Sequence, residues 1–474
     1  MADLHEAIRY AETIIDTDPI KAHRILCNVL EEEPDNALAL FCVGHILVNR
    51  EELGLAYNVF KRVVQLAPHR EQGWNNLGLC IDSFERHKEA RECFEQALKR
   101  KPNDPDYLGN LALTWLEEQD YKRAIEFSAK SLAINPKHPG AGAVNGYAHL
   151  ALGNWVEGWR GYECALGGKY RKEYSYGDEK RWDGSPGKVV AIYGEQGLGD
   201  EIMAASMLPD AIRDCSTVIV DCDPKLEGLL RRSFPGACVF GTRREQSVAW
   251  LEDHVVEARA AALSLGQFYR RQDADFPAGP YLVADPDRRV QWRALFDSWG
   301  PRPKIGLCWT GGIKSTGAKR RQMGLEALRL LIESFDADFV SLQYKDPTAE
   351  IAKSGLPVRH FKWACETPDY DDTAALVAEL DVVIGVSTTV HHLADALGVP
   401  SIVFVPLRPT WLYARDPVPF HQSWKLFRQK DGEDWSKTVR RFMKSDLTRM
   451  VGYGAHDVQH AENRDRELGA SVEH

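Results

Sequence analysis

Two histidines and two threonines stand close together between two apolar runs of this 474-residue chain. The runs, Val382–Ile384 and Ile402–Val405, have the length and composition of buried strands. The polar side chains that follow the first run are those of Thr388, Thr389, His391 and His392. Ligands bind at such strand-to-helix corners in open α/β sheets, and a helix N-terminus there attracts phosphate. The segment therefore predicts a site for a nucleotide-type ligand.

A second corner follows the apolar run Val189–Tyr193. Its segment Gly194–Asp200 has neither the glycine spacing of a dinucleotide fingerprint nor that of a P-loop. The glycines allow a tight turn and let a substrate approach the backbone. Asp200 has two interpretations. It caps the following helix, which contributes about 0.5–2 kcal/mol, or it acts as a general base.

A basic, glycine-rich loop, residues 310–322, follows a third apolar run at Lys304–Trp309. Its cations are Lys314, Lys319, Arg320 and Arg321. Arginine can clamp a phosphate with two parallel hydrogen bonds, whereas lysine acts as a point charge. The loop is interpreted as an anion site or as a solvated surface loop, and its composition does not decide between them.

These corners need a parallel sheet to position them. From Val189 onward, short apolar runs alternate with helical segments, which is the pattern of strands joined by crossover helices. Strands are predicted at 189–193, 217–220, 304–309, 338–343, 381–386 and 402–405. Helices are predicted at 201–213, 325–334 and 373–380. The glycine-rich and charged segment 166–187 before the first strand is predicted to be a linker.

The first third of the chain repeats every 34 residues. Prolines recur at Pro34, Pro68, Pro102 and Pro136, small residues at Gly44, Gly78, Ala112 and Gly146, and again at Ala56, Ala90, Ala124 and Gly158. Such a period predicts stacked helix pairs, with small residues where two helices cross closely. The pattern from residue 34 to about 165 resembles the tetratricopeptide repeat family.

That resemblance implies a concave groove that holds a protein or peptide. Asn75, Asn76 and Asn110 are the candidate groove residues, because repeat arrays often grip a peptide backbone with asparagine amides. Two alternatives stay open: the asparagines are solvated helix positions, and the array is a packing surface that forms a homodimer.

The bulk composition excludes several classes of protein. A net charge of -10 argues against a general nucleic-acid binder. The 10 cysteines show no zinc-ligand spacing, and no apolar run is long enough to span a membrane. The start of the chain has no signal-peptide pattern. A cytoplasmic location is therefore expected.

Several motifs together resemble GT-B glycosyltransferases, in particular bacterial tetratricopeptide proteins with a heptosyltransferase-like region, and distantly the protein O-GlcNAc transferases. They are Glu195–Asp200 with Leu208–Pro209, Ile305–Trp309, Arg321 with Leu325, Phe339–Gln343, Asp372–Leu376, Val386–Pro400 and Trp424–Gln429. The resemblance covers residues 34 to about 445. It implies a nucleotide-sugar donor, two Rossmann-like domains facing across a cleft, and no metal or other cofactor.

The resemblance also implies roles for single residues. Asp200 corresponds to the aspartate base, and its loop, with Glu195, Gln196, Gly197 and Gly199, lies on the acceptor side. Donor-binding residues are expected at Trp309, Gly311, Lys314, Lys319, Arg321, Gln343, Ser387, Thr388, Thr389, His391 and His392. Ser387 stands where the family carries aspartate, and His391 where it carries a small residue. A serine hydroxyl cannot accept two hydrogen bonds from sugar hydroxyls as a carboxylate does.

The predicted architecture is an all-α superhelix followed by an α/β region. Its parts are tetratricopeptide repeats at 1–165, a linker at 166–187, Rossmann-like domains at 188–300 and 301–454, and a loose tail at 455–474. The predicted function is metal-independent sugar transfer to a protein or glycan hydroxyl. The alternative is a catalytically degenerate scaffold or binding module.

Overall fold

A computed structural model describes residues 2–168, 171–243, 248–277, 279–312 and 318–451. The chain divides into two compact units. The first unit contains residues 1–152 and 160–165, and the second contains residues 153–159 and 166–474. Lys314 and the predicted tail at 455–474 lie outside the described residues.

Ten α-helices occupy the described part of the chain up to Glu163. They are α1 (Ala2–Ile14), α2 (Pro19–Glu32), α3 (Ala37–Asn49), α4 (Leu53–Leu66), α5 (Glu71–Ser83), α6 (His87–Arg100), α7 (Pro105–Glu117), α8 (Tyr121–Ile134), α9 (Pro139–Leu152) and α10 (Trp155–Glu163). Each of the four prolines with a 34-residue spacing lies between two helices, because proline has no amide hydrogen to continue one. The predicted helix-pair repeats are confirmed.

Two small residues of the repeat lie where an aromatic ring of the next helix packs. A Cβ added to Gly44 would lie 2.7 Å from the ring of Phe60, and one added to Gly78 would lie 2.6 Å from the ring of Phe94. Both phenylalanines are fully buried within the array. A larger side chain in place of either glycine would overlap the ring and force the two helices apart.

The rest of the chain alternates between strands and helices. The strands are β1 (Lys180–Arg181), β2 (Val189–Tyr193), β3 (Thr217–Asp221), β4 (Cys238–Phe240), β5 (Ala258–Ala261), β6 (Lys304–Cys308), β7 (Asp338–Ser341), β8 (Val358–His360), β9 (Val382–Val386), β10 (Ser401–Val405) and β11 (Trp424–Arg428). The helices are α11 (Leu198–Ala205), α12 (Leu208–Asp214), α13 (Glu227–Ser233), α14 (Gly266–Tyr269), α15 (Pro286–Ser298), α16 (Arg329–Ser334), α17 (Thr348–Ser354), α18 (Lys362–Cys365), α19 (Tyr370–Val377), α20 (Thr389–Ala396) and α21 (Trp435–Met443).

These strands form two parallel sheets. The first has the order β1-β5-β2-β3-β4, and the second has the order β11-β10-β9-β6-β7-β8. All the strand pairings within them are parallel. The central strands of the second sheet are buried along their whole length, as expected where both faces are covered. The predicted parallel sheets with crossover helices are confirmed.

One predicted helix is divided in two. The sequence predicts a single helix over 201–213, whereas α11 ends at Ala205 and α12 begins at Leu208. Pro209 lies in the first turn of α12, where its missing amide hydrogen costs nothing. The same residue inside a continuous helix would clash with the carbonyl of Ala205.

Candidate functional site

The two polar corners predicted from the sequence lie against each other in the second unit. Gly199 opens α11 after β2, and His392 lies in the first turns of α20 after β9. A Cβ added to Gly199 would lie 3.1 Å from Cδ2 of His392 and 3.4 Å from Oγ1 of Thr389. A side chain at this position would crowd His392, so glycine favours the close approach of α11 to α20. The contact joins the carboxyl ends of β2 and β9.

Asp200 lies in the first turn of α11 and is partly exposed. Its Oδ2 accepts a hydrogen bond of 3.1 Å from the backbone amide of Gly197, so it stabilises the helix start. Burial raises the pKa of Asp200 above its ordinary value, against the opposing effects of the Gly197 amide and of the positive charges of Arg321 and Arg171. A carboxylate with a raised pKa is a stronger general base. Both interpretations of Asp200 are compatible with this geometry.

Glu195 anchors the start of the Asp200 loop. The carboxylate of Glu195 accepts hydrogen bonds from the buried guanidinium of Arg171, with Nη2 at 3.0 Å from Oε1. The backbone carbonyl of Glu195 accepts from the amide of Lys172. Glu195 is therefore a buried partner that fixes the loop, and its carboxylate is not open to a ligand.

Arg243 anchors the same loop from its other side. Its Nη1 donates to the backbone carbonyl of Gln196 at 2.6 Å and lies 2.7 Å from Oε1 of Glu201. Its Nη2 donates to Oδ2 of Asp223 at 2.7 Å. The carbonyl of Gln196 is thus occupied, while Gly197 remains exposed at the helix start. Two buried arginines hold the backbone around Asp200 in one conformation.

Arg321 brings the basic loop to the same corner. Its Nη1 donates to the backbone carbonyl of Ser387 at 3.2 Å, and its own carbonyl accepts from the amide of Gly311. A Cβ added to Gly311 would lie 2.4 Å from Cγ2 of Thr388. The loop after β6 therefore packs directly on the segment after β9, with the guanidinium close to Asp200.

The start of α20 contains polar atoms without partners. Ser387 and Thr388 are buried, and Thr388 occupies the N-cap position. Among the described residues, Oγ1 of Thr388, Nδ1 of His391 and Nδ1 of His392 have no hydrogen-bond partner. Buried polar atoms are normally paired, so such a group indicates a place for a ligand or an ordered water.

His391 and His392 are neutral. Burial lowers the pKa of His391 to about 3 and lowers the pKa of His392 well below its usual range. Nε2 of His391 lies 3.3 Å from Sγ of Cys308, so this ring packs into the core beneath the corner. His392 instead faces Gly199, which makes it the histidine nearer to Asp200.

The remaining predicted donor residues do not all face this corner. Trp309 is fully buried, and its Nε1 donates to Oε2 of Glu350 at 2.8 Å. The side-chain amide of Gln343 is hydrogen bonded to the side chain of Thr310. Lys319 is exposed on the basic loop, in the turn that ends at Arg321. Trp309 and Gln343 therefore stabilise the loop after β6 through hydrogen bonds to neighbouring protein groups.

Tyr413 also belongs to the corner, although no motif in the sequence indicates it. Its ring stacks on Trp424 with the centroids 5.5 Å apart. Burial raises the pKa of the Tyr413 phenol. The charge of Arg321 and a hydrogen bond with Ser387 act in the opposite direction, and the charge of Asp200 raises the pKa further. The signal in the sequence was weak, because an aromatic residue in a loop is usually part of the core.

Asp395 and His421 form a dyad beside His392. Nδ1 of His421 lies 2.9 Å from Oδ2 of Asp395, and the rings of His421 and His392 have centroids 4.6 Å apart. Nε2 of His421 is buried and lacks a partner within the described ranges. The spacing of these residues carries no recognisable motif, so only the fold identifies the dyad.

The asparagines of the repeat array contact one another. Nδ2 of Asn110 donates to Oδ1 of Asn75 at 2.8 Å, and Nδ2 of Asn75 donates to Oδ1 of Asn76 at 3.2 Å. Asn75 is buried, whereas Asn76 and Asn110 are partly exposed. The amides link α5 to α7, and the two partly exposed residues remain accessible from solvent.

Within the described residues, no helix combines the length and the apolar character needed to cross a membrane.

Comparison with known proteins identifies the repeats. The tetratricopeptide repeat family matches residues 83–139. "Protein FlbA" of Caulobacter vibrioides is 28% identical over 425 residues, which cover 83% of this chain and 70% of that protein. "BBSome complex member BBS4" of Bos taurus is 28% identical over 117 residues, which cover 25% of this chain and 22% of that protein.

Solved structures of other proteins match about a third of the chain. YrrB, described as a TPR protein with an unusual peptide-binding site, has a TM-score of 0.30 and 18% identity and covers 34% of this chain and 82% of its own. The type IV pilus biogenesis factor PilW has a TM-score of 0.32 and 18% identity. The match covers 34% of this chain and 77% of the PilW chain. The chain thus carries tetratricopeptide repeats in its N-terminal part, followed by an α/β region of parallel sheets.

Proposed function

We propose that this chain is a glycosyltransferase that moves a sugar from a nucleotide-sugar donor to a hydroxyl group of a protein or glycan. The observation that carries the proposal is the carboxylate of Asp200, a partly exposed residue, close to the positive charge of Arg321 where α11 meets α20. A base next to a cation suits a reaction in which one oxygen loses a proton and another gains negative charge.

The proposed reaction uses these groups in one displacement. The acceptor hydroxyl oxygen bonds to the anomeric carbon of the sugar while the bond from that carbon to the diphosphate oxygen breaks. The proton of the hydroxyl passes to Asp200, and the bonding electrons leave with the diphosphate. The raised pKa of Asp200 favours this proton transfer.

Arg321 and the start of α20 are the groups that would receive the leaving diphosphate. The positive end of the helix dipole lies at Thr388 and Thr389, and the unpartnered Oγ1 of Thr388 offers a donor there. Lys319 adds a positive charge on the same loop. The neutral His392 offers a ring nitrogen without adding charge. This set needs no metal ion in the proposed step.

The protein acceptor is proposed to bind the repeat array. Tetratricopeptide repeats are shown in this chain, and a repeat-mediated protein partner is the role they support. The partly exposed Asn76 and Asn110 are the candidate contacts to the backbone of that partner.

The test is release of nucleoside diphosphate from UDP-, GDP-, ADP- and TDP-sugars by the purified full chain. We expect turnover with one donor class and a loss of about 100-fold or more in Asp200→Asn, because general bases contribute about 10²–10⁴-fold. Asp434→Asn is the matched control, since Asp434 also caps a helix start by accepting from the amide of Lys437. Equal turnover in the wild-type protein and Asp200→Asn would remove Asp200 as the base.

A repeat-mediated scaffold without turnover is the second candidate, and the comparisons favour it more directly. They identify the repeats and assign no activity to the α/β region. Ser387 also lacks the carboxylate that the glycosyltransferase resemblance requires at its position. Thermal unfolding with UDP, GDP, ADP and TDP separates the candidates. Stabilisation by one nucleotide supports the transferase, whereas no stabilisation by any of them supports the scaffold.

A further inference from the structure

Three possible metal ligands meet at the outer part of the second sheet. Asp346 follows β7, His360 ends β8, and Glu366 follows α18. One nitrogen or oxygen atom from each of these residues lies within 4.8 Å of the other two. Because β7 and β8 are parallel neighbours, their carboxyl ends bring Asp346 and His360 to the same edge.

The histidine of this group is only partly satisfied by its neighbours. Nε2 of His360 lies 3.0 Å from Oε1 of Glu366, and the His360 side chain is 8% exposed. Nδ1 of His360 is buried and has no partner among the residues that the structure describes. The contact with Glu366 accounts for one ring nitrogen of His360 but leaves the other nitrogen without a partner.

The two carboxylates are available for coordination. Oδ1 of Asp346 accepts a hydrogen bond of 2.9 Å from the amide of Thr348, and the residue is exposed, so its second carboxylate oxygen remains to be offered to an ion. Nζ of the exposed Lys362 lies 4.0 Å from Oε2 of Glu366, and this distance leaves room for an ion to take the place of the ammonium group.

We propose that Asp346, His360 and Glu366 bind one divalent transition-metal ion, and that Zn²⁺ fits them best. One imidazole and two carboxylates are a donor set that zinc accepts, whereas Mg²⁺ and Ca²⁺ prefer oxygen ligands alone. Three protein ligands leave at least one position for water or another ligand.

The experiment is equilibrium dialysis of the chelator-stripped full chain against Zn²⁺, Mn²⁺ and Mg²⁺ separately. We expect one Zn²⁺ per chain, weaker Mn²⁺ and no comparable Mg²⁺ binding. Asp346→Asn combined with Glu366→Gln keeps the hydrogen-bond acceptors of both side chains and removes both charges. Its zinc affinity should fall at least about tenfold, since even residues outside the ligand set cost about 10–100-fold when replaced.

The matched control is His138→Gln in the repeat array. Nε2 of His138 lies 2.9 Å from Oδ1 of Asp106, which makes a histidine–carboxylate pair outside the three-residue group. Zinc binding should be unchanged in this variant. Far-ultraviolet circular dichroism of both variants checks that they are folded. A double variant that loses its fold is replaced by His360→Gln, for which the same loss of affinity is expected.

Cobalt substitution tests the donor atoms independently. The chain has 10 cysteines, and none of them belongs to the three-residue group. A Co²⁺ spectrum without thiolate charge-transfer bands supports the proposed ligands. Thiolate bands, no bound zinc, or equal zinc affinity in the wild type and the double variant would each overturn the proposal. None of these measurements depends on sugar transfer.

Discussion

In the repeat array, contacting residues come from neighbouring helices, whereas the candidate site of the α/β region joins loops that are far apart in sequence. Phe94 packs on Gly78 of the preceding helix, so the array is built from adjacent contacts. Gly199 follows β2 of the first sheet and His392 follows β9 of the second sheet, and the two residues meet where the helices after these strands pack together. A repeat can therefore be recognised from its period alone, whereas a site built from two sheets depends on the whole fold.

The largest expected effect tests the local character of the array. Phe94→Ala should lower the free energy of unfolding of the repeats by about 3–5 kcal/mol, because Phe94 is fully buried and the truncation leaves a cavity. Hydrogen exchange should show lost protection in α5–α7 and retained protection in β6 and β9. An equal loss of protection in both regions would contradict the description of the array as a nearest-neighbour structure.

Arg321→Met tests the assembled site. Removal of a preorganised donor typically costs about 10²–10³-fold in rate, and we expect a loss of this size in nucleoside diphosphate release. The stability of the folded chain should change little, since Arg321 is partly exposed. Arg329→Met is the control, because Arg329 pairs with Glu326 and Glu333 on the surface. If both variants lose the same fraction of activity, Arg321 has no special role.

The buried histidines make the stability of the corner depend on pH. The pKa of His391 is lowered to about 3 in the folded chain, so below about pH 6.5 the unfolded chain takes up a proton that the folded chain does not. The stabilising effect of the neutral ring is present above that pH and is lost as pH falls toward 3. His391→Gln should flatten the dependence of unfolding free energy on pH by up to about 1.4 kcal/mol per pH unit. Identical slopes from urea unfolding at pH 4–6 would refute this.

The smallest expected effect concerns the asparagines of the array. A double-mutant cycle with Asn75→Ala and Asn110→Ala should give a coupling energy of about 1 kcal/mol, the usual net contribution of one hydrogen bond. Asn49→Ala, on the surface at the end of α3, is the control and should stay within about 0.5 kcal/mol. A coupling energy of zero would mean that the hydrogen bond between these amides is no more favourable than their hydrogen bonds to water.

The sequence predicts the positions of helices and strands better than the contacts between their side chains. The period of 34 residues predicts the helix pairs, and the apolar runs predict β2, β6, β9 and β10 to within two residues at each end. The apolar pattern continues through Pro209 and so does not indicate the break between α11 and α12. The sequence places Arg171 in a predicted linker, whereas the fold buries it against Glu195.

The candidate site is only partly visible in the sequence. Residue types mark Asp200, Arg321 and His392 as capable of chemistry, but Trp309 and Gln343, which share the same motifs, point into supporting positions. Asp395 and His421 carry no motif and become a dyad only because α20 lies next to the segment before β11. The pairing of distant side chains depends on how the strands are ordered, which a periodic pattern does not encode.

Local periodicity and backbone preferences suffice to define the repeats, the alternation of strands and helices, and the glycine and threonine corners. Only the folded chain shows that Gly199 meets His392, that Arg171 and Arg243 hold the Asp200 loop, and that Asp346 lies near His360 and Glu366. Strand order and helix crossing bring these distant residues together, and burial there sets which of their charges and hydrogen bonds remain available.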